Sequence, residues 1–141
     1  MDFSSVPTPA ALVDEACLAR NIERMHRQID RLGVGFRPHV KTAKCIEVAR
    51  RQEQAGGRGI TVSTLKEAEQ FFAAGYDDIL YAVCIAPARL GQAAALRERG
   101  CRLTIVVDSL AAAQAVHAHG HHFGCALGWV NGRSSAFSCH A

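Results

Sequence analysis

The sequence predicts an α/β protein built of repeated β/α units around a parallel sheet, and three observations carry that prediction. Candidate strand ends at Lys41, Ser63, Val83 and Val107 follow one another at intervals of 22, 20 and 24 residues, about the length that a strand and its return helix consume. The strands are nearly continuous apolar runs, as parallel strands covered on both faces are. The helices between them carry start or stop signals: a capping side chain, a proline in the first turn, or a glycine just past the end. Periodicity leaves open whether such a sheet stays open and doubly wound or closes into an eight-stranded barrel.

After Thr8-Pro9, the run Ala10 to Val13 reads as a short strand and Asp14 as the N-cap of a helix. Leu18, Ile22, Met25, Ile29 and Leu32 then step by 4, 3, 4 and 3, one apolar stripe, and Gly33 supplies the stop. Arg20, Arg24, Arg27 and Arg31 lie off that stripe and, with Glu23 and Asp30 beside them, read as a solvated face. Phe36 to Lys41 is the next strand, with positions 37, 39 and 41 on one face and Pro38 and Val40 on the other. Ile46 to Gln54 is a helix closed by Gly56-Gly57. Gly59 to Ser63 is a strand leading into Thr64-Leu65-Lys66-Glu67, a capping box for a helix running to about Ala74. Asp78 to Val83 is a strand, and Pro87 opens a helix through Arg99 that Gly100 ends. Arg102 to Val107 follows as a strand, Asp108 and Ser109 offer caps to an alanine-rich helix ending near Gly120, and a further strand is expected from Phe123.

The composition points to small-molecule work. Net charge is +3 over 141 residues, from 16 basic and 13 acidic side chains without a block of either sign, so nothing calls for nucleic acid or an anionic membrane. No run approaches the roughly 18 apolar residues of a membrane span, and the N-terminus has neither a basic nor an apolar leader region. A cytoplasmic protein is expected. Six cysteines without C-x-x-C spacing suit reduced thiols better than a disulfide framework or zinc knuckle. Gly56-Gly57-Arg58-Gly59 precedes a strand instead of following one, so it aims no helix N-terminus at a phosphate. His117, His119, His121 and His122 cluster at the end of the fold opposite Lys41, where an adventitious metal is the most they would hold. No metal ligand is assigned.

Arg37, His39 and Lys41 form a basic face on one strand. Enclosed, they would need an anion such as a phosphate ester or carboxylate; on an edge strand they would lie in water. The string Arg37-Pro38-His39-Val40-Lys41-Thr42, with Thr8-Pro9-Ala10 before it and Thr61-Val62-Ser63-Thr64-Leu65-Lys66-Glu67-Ala68-Glu69 after it, resembles the D-threonine aldolase and D-serine dehydratase-like family. These are barrel-type pyridoxal-phosphate enzymes that share the alanine racemase N-terminal domain. The resemblance runs from residue 7 to about 122. It implies the N-terminal half of a (β/α)8 TIM-like barrel, a truncated one, with 1–122 a partial pyridoxal-phosphate barrel. Residues 123–141 match no family segment and are expected to be a frame-shifted or truncated continuation.

By that resemblance Lys41 is the lysine that binds the cofactor covalently, and neighbouring cations at Arg37 and His39 would help keep its amine unprotonated. Lys44 is the competing amine. His39 either contacts the cofactor or is a structural core histidine. Arg37 either reaches the cofactor or pairs with an acidic barrel residue, and Ser63 either reaches it or serves the turn before Thr64. The implied activity is that of a D-amino-acid lyase, most like a D-threonine aldolase, which splits D-3-hydroxy amino acids into glycine and an aldehyde. A D-serine dehydratase, an amino-acid racemase and a noncatalytic pyridoxal-phosphate-binding protein are the alternatives. The resemblance also implies a divalent metal at the substrate hydroxyl, with ligands in a C-terminal domain, and leaves room for a homodimer at full length.

Overall fold

The computed structural model describes residues 3–120 and, as backbone, 124–127. Four parallel strands, β1 (Ile60–Val62), β2 (Asp78–Cys84), β3 (Arg102–Val107) and β4 (Gly124–Leu127), form one sheet in chain order. Helices α1 (Glu15–Leu32) and α2 (Ile46–Gln54) precede it, and α3 (Leu65–Ala73), α4 (Leu90–Glu98) and α5 (Leu110–Ala118) connect its strands.

That order answers the question the periodicity left open. A doubly wound sheet reverses its strand order and carries helices on both faces; here the order never reverses and one face alone is covered among the described residues. Ile79, Tyr81, Leu103, Ile105 and Val107 are buried with Leu65, Phe71, Leu96 and Val116 of the helices, while the intervening Leu80, Thr104 and Val106 are half-exposed on the opposite face. This is the winding of a β/α barrel, with the uncovered face as its interior. Burying a side chain such as Leu103 or Ile105 completely is worth about 2 kcal/mol, so the helix-covered face supplies the core.

The predicted caps form. Asp14 accepts the Cys17 N–H at 2.7 Å and Gly33 ends α1 at φ +63°. Thr64 accepts the Glu67 N–H at 3.0 Å, and Ser109 accepts that of Ala112 at 3.2 Å. The helix expected from Pro87 begins as a 3-10 turn, Pro87–Arg89, before α4.

Three expectations change. Ala10 to Val13 is not a strand: no described strand pairs with it, so its backbone groups gain nothing from an extended ladder, and Leu12 and Val13 are each 62% exposed. In α1, His26 sits at the centre of the covered face, its ring edge-on to Phe36 at 5.4 Å, while Met25 and Leu32 of the predicted stripe are exposed. The strand expected over Phe36 to Lys41 is shorter than that and ends before Lys41. Pro38 carbonyl accepts the Thr61 N–H at 2.8 Å, Val40 N–H donates to Thr61 carbonyl at 2.9 Å, and His39 and Thr61 form an isolated parallel bridge. Pro38 has no N–H to extend that ladder, and from Val40 the chain turns.

Candidate active site at the strand ends

The turn after His39 places Lys41 at the C-terminal edge of the sheet, where β/α barrels carry their working groups. Lys44 N–H closes that turn on Val40 carbonyl at 2.8 Å, with Lys44 itself at φ +47°. Lys41 is exposed, and its amine has no carboxylate partner among the described residues.

His39 is half-buried beside it. Its Nδ1 accepts the backbone N–H of Lys41 at 3.3 Å, and its Nε2 lies 3.2 Å from Ser63 Oγ, just past the end of β1. An Nδ1 that accepts leaves the neutral ring its proton on Nε2, to be donated to Ser63. Burial first, and then the Lys41 charge, holds the His39 pKa below the ordinary 6.5, against an opposing pull from Glu67.

Glu67 is the buried carboxylate behind this group, at 5% exposure. One oxygen accepts the Ser63 N–H at 2.9 Å and the other sits 3.1 Å from Lys44 Nζ. Burial on its own would push this carboxyl up; the Ser63 N–H, the Lys44 ammonium and the Thr64 N–H outweigh it, and the net shift is downward. In the sequence Glu67 shows only its capping role. The box is real but shifted, since its carboxylate reaches back to Ser63, and the second duty is not visible in a spacing pattern.

Arg37 is not brought to this group. Its guanidinium is directed to the other end of the strands, 2.9 Å from the Asp78 carboxylate and 3.1 Å from Asp78 carbonyl, both partners about one-third exposed. Gly59, at φ +62°, lies against this pair, and a Cβ there would stand 2.7 Å from Asp78 carbonyl. Lys41, His39 and Ser63 therefore stand together and Arg37 stands apart. Cys84 ends β2 and Asp108 follows the end of β3, on the same edge as Lys41; desolvation and then the Asp108 carboxylate push the Cys84 thiol up.

Cys17, Cys45, Cys84 and Cys101 are free thiols, and burial pushes Cys101 up to about 11. His121 and His122 lie outside the described residues, and among the described ones no three His, Cys, Asp or Glu side chains converge as a metal group. No helix among the described residues is long and apolar enough to cross a membrane.

The site fits one end of a carbonyl cofactor. It has an exposed primary amine without a counter-charge among the described residues, a neutral imidazole and a hydroxyl on the uncovered side of a barrel-type sheet.

The sequence profile described as "Alanine racemase, N-terminal domain" matches residues 13–128. The chain is 59% identical over 120 residues to the D-threo-3-hydroxyaspartate dehydratase of Delftia sp. (strain HT23), covering 85% of this chain and 32% of that one. The solved structure of that dehydratase superposes with a TM-score of 0.83 at 55% identity, over 87% of this chain and 34% of the other. A D-serine dehydratase of Dictyostelium discoideum is 37% identical over 114 residues, covering 77% of this chain and 29% of its own length. A D-threonine aldolase of Arthrobacter sp is 37% identical over 108 residues, covering 76% and 28%. The chain thus spans about a third of the length of the curated relatives it matches.

Proposed function

Because the chain belongs to the alanine racemase N-terminal domain family, whose members include pyridoxal-phosphate-dependent D-amino-acid dehydratases and aldolases, we propose that it is the cofactor-lysine segment of a lyase for D-3-hydroxy amino acids. The observation that carries this reading is the exposed amine of Lys41 at the strand ends, without a carboxylate partner among the described residues and beside His39 and Ser63. When bound, pyridoxal phosphate supplies an aldehyde carbon for amines and a sink for the electrons released at the substrate α-carbon. Lys41 anchors it in this reading, and Lys41 Nζ is the group of this chain available to take a proton from the α-carbon. His39 Nε2–H is donated to Ser63 Oγ, which leaves the serine's own proton to offer to an oxygen in the site. Arg37 serves the strand bases and contacts no cofactor in this reading. A divalent ion at the substrate hydroxyl belongs to it as a Lewis acid, held by residues other than those described. A cytoplasmic location belongs to this reading, in keeping with the free thiols of the four described cysteines.

Elimination of water ranks first. The sequence motifs alone favour cleavage of the Cα–Cβ bond, but the relative at 59% identity is named a dehydratase and the aldolase stands at 37%. Retro-aldol cleavage of D-threonine is the second reading, favoured by that aldolase. Product analysis on the full-length, cofactor-loaded protein separates the two. With D-threo-3-hydroxyaspartate, dehydration yields oxaloacetate and ammonia, whereas retro-aldol cleavage yields glycine and glyoxylate. The first pair is expected. The second pair, or acetaldehyde and glycine from D-threonine as the faster reaction, would overturn the ranking, and L-allo-threonine formed from D-threonine by inversion at the α-carbon would establish a racemase.

A further inference from the structure

The turn that presents Lys41 is closed twice by the same residue. Lys44 N–H bonds Val40 carbonyl at 2.8 Å, and Lys44 Nζ lies 3.1 Å from Glu67 Oε1. Closing the turn this way puts Lys44 in the left-handed region, at φ +47°, a conformation that a residue with a long side chain adopts only when its surroundings hold it there. Glu67 is the holder. An ion pair between two exposed side chains adds little, but this carboxylate is buried, and a buried charge left without its partner is strongly unfavourable. Its second oxygen accepts the Ser63 N–H at 2.9 Å, Ser63 Oγ meets His39 Nε2 at 3.2 Å, and His39 Nδ1 accepts the Lys41 N–H at 3.3 Å. The contacts run in a ring from Lys41 through His39, Ser63, Glu67 and Lys44 back to the turn that carries Lys41.

We propose that Lys44 and Glu67 are positioning residues for Lys41: their ion pair holds the 40–44 turn and, through Ser63, the imidazole of His39 in the tautomer that accepts the Lys41 N–H. The proposal rests on the reading of Lys41 as the cofactor lysine. It also separates the two amines of the motif, since the Lys44 amine is engaged by a buried carboxylate while that of Lys41 meets none among the described residues.

Two measurements test it. On the full-length protein mixed with pyridoxal phosphate, timed borohydride reduction and peptide mapping give the rate at which label reaches each lysine. Lys44→Met and Glu67→Gln should each leave the label on Lys41 but slow its appearance about tenfold, the scale of a catalytic group displaced by a fraction of an ångström. The double variant should be no slower than either single one, because both remove the same contact. Lys44→Arg keeps the charge but cannot form the imine, and should restore the rate to within about twofold. A wild-type rate in Lys44→Met overturns the proposal and leaves the Lys41 reading intact. A Lys44→Arg rate as slow as that of Lys44→Met also overturns it, and this arm alone decides if the methionine variant fails to fold. Label on Lys44 in the wild-type protein would instead overturn the Lys41 reading. The second measurement needs no cofactor. Nitrogen-15 spectra of the His39 ring should show protonated Nε2 and unprotonated Nδ1 in the wild-type protein and in Lys44→Arg, and a tautomer mixture in Glu67→Gln. An unchanged His39 tautomer in Glu67→Gln overturns the proposed link through Ser63.

Discussion

The backbone N–H of Lys41 donates to Nδ1 of His39 across 3.3 Å, so the residue that presents the amine also sets the protonation of its neighbour. A ring protonated at Nδ1 could not accept that bond, and a ring protonated at both nitrogens would in addition place a second positive charge beside the Lys41 side chain.

A pH dependence follows from this contact. The His39 pKa is held below 6.5 in the folded chain, by burial first and by Lys41 second, so the unfolded chain binds the proton more readily. The stability this histidine contributes is present in full above pH 6.5 and is lost as pH falls through the unfolded value towards the folded one. Thermal midpoints should drop below about pH 6.5, and His39→Gln should flatten that part of the profile. An identical profile in the variant would show that His39 is not the titrating group.

Arg37 and Asp78 are expected to act on stability and not on cofactor attachment. Either Arg37→Met or Asp78→Asn leaves one half-buried partner unmatched, at a cost of about 1 to 3 kcal/mol, with the lower end favoured by their partial exposure. Denaturant unfolding measures the loss. Labelling of Lys41 at the wild-type rate in a folded Arg37→Met would confirm that Arg37 is a strut; loss of labelling would return it to the site.

The two threonine and serine caps should separate in the same way. Thr64→Ala and Ser109→Ala each remove one N-cap and should each cost about 1 kcal/mol in unfolding experiments. Only Thr64 adjoins Ser63 and pairs with the Glu67 N–H, so only Thr64→Ala should shift the ring resonances of His39. A shift in both variants would mean that His39 reports global loosening.

The parts of this fold written in local chemistry were legible in the sequence. Asp14, Gly33, Thr64 and Ser109 mark helix ends because caps and stops act within one turn of chain, and β3 falls on its predicted bounds because Leu103, Ile105 and Val107 must be covered. Lys41, His39 and Ser63 were also named from the sequence. What was not legible depends on partners distant in the chain. Ala10 to Val13 has strand composition but no neighbouring strand among the described residues, and the strand before Lys41 stops where Pro38 and the 40–44 turn end its ladder with Thr61. Asp78, 41 positions beyond Arg37, could not be singled out as its partner. Glu67 was legible as a cap and not as the anchor of Lys44, because a capping pattern says nothing of what else a carboxylate can reach.

The central claim, that Lys41 is the cofactor lysine, is tested most directly by reducing the pyridoxal-phosphate-treated protein with borohydride and locating the label by mass spectrometry. The proposed reading predicts one pyridoxyl group on Lys41 and none in Lys41→Ala. Label on Lys44 or Lys66 in the wild-type protein, or undiminished label in Lys41→Ala, would contradict it.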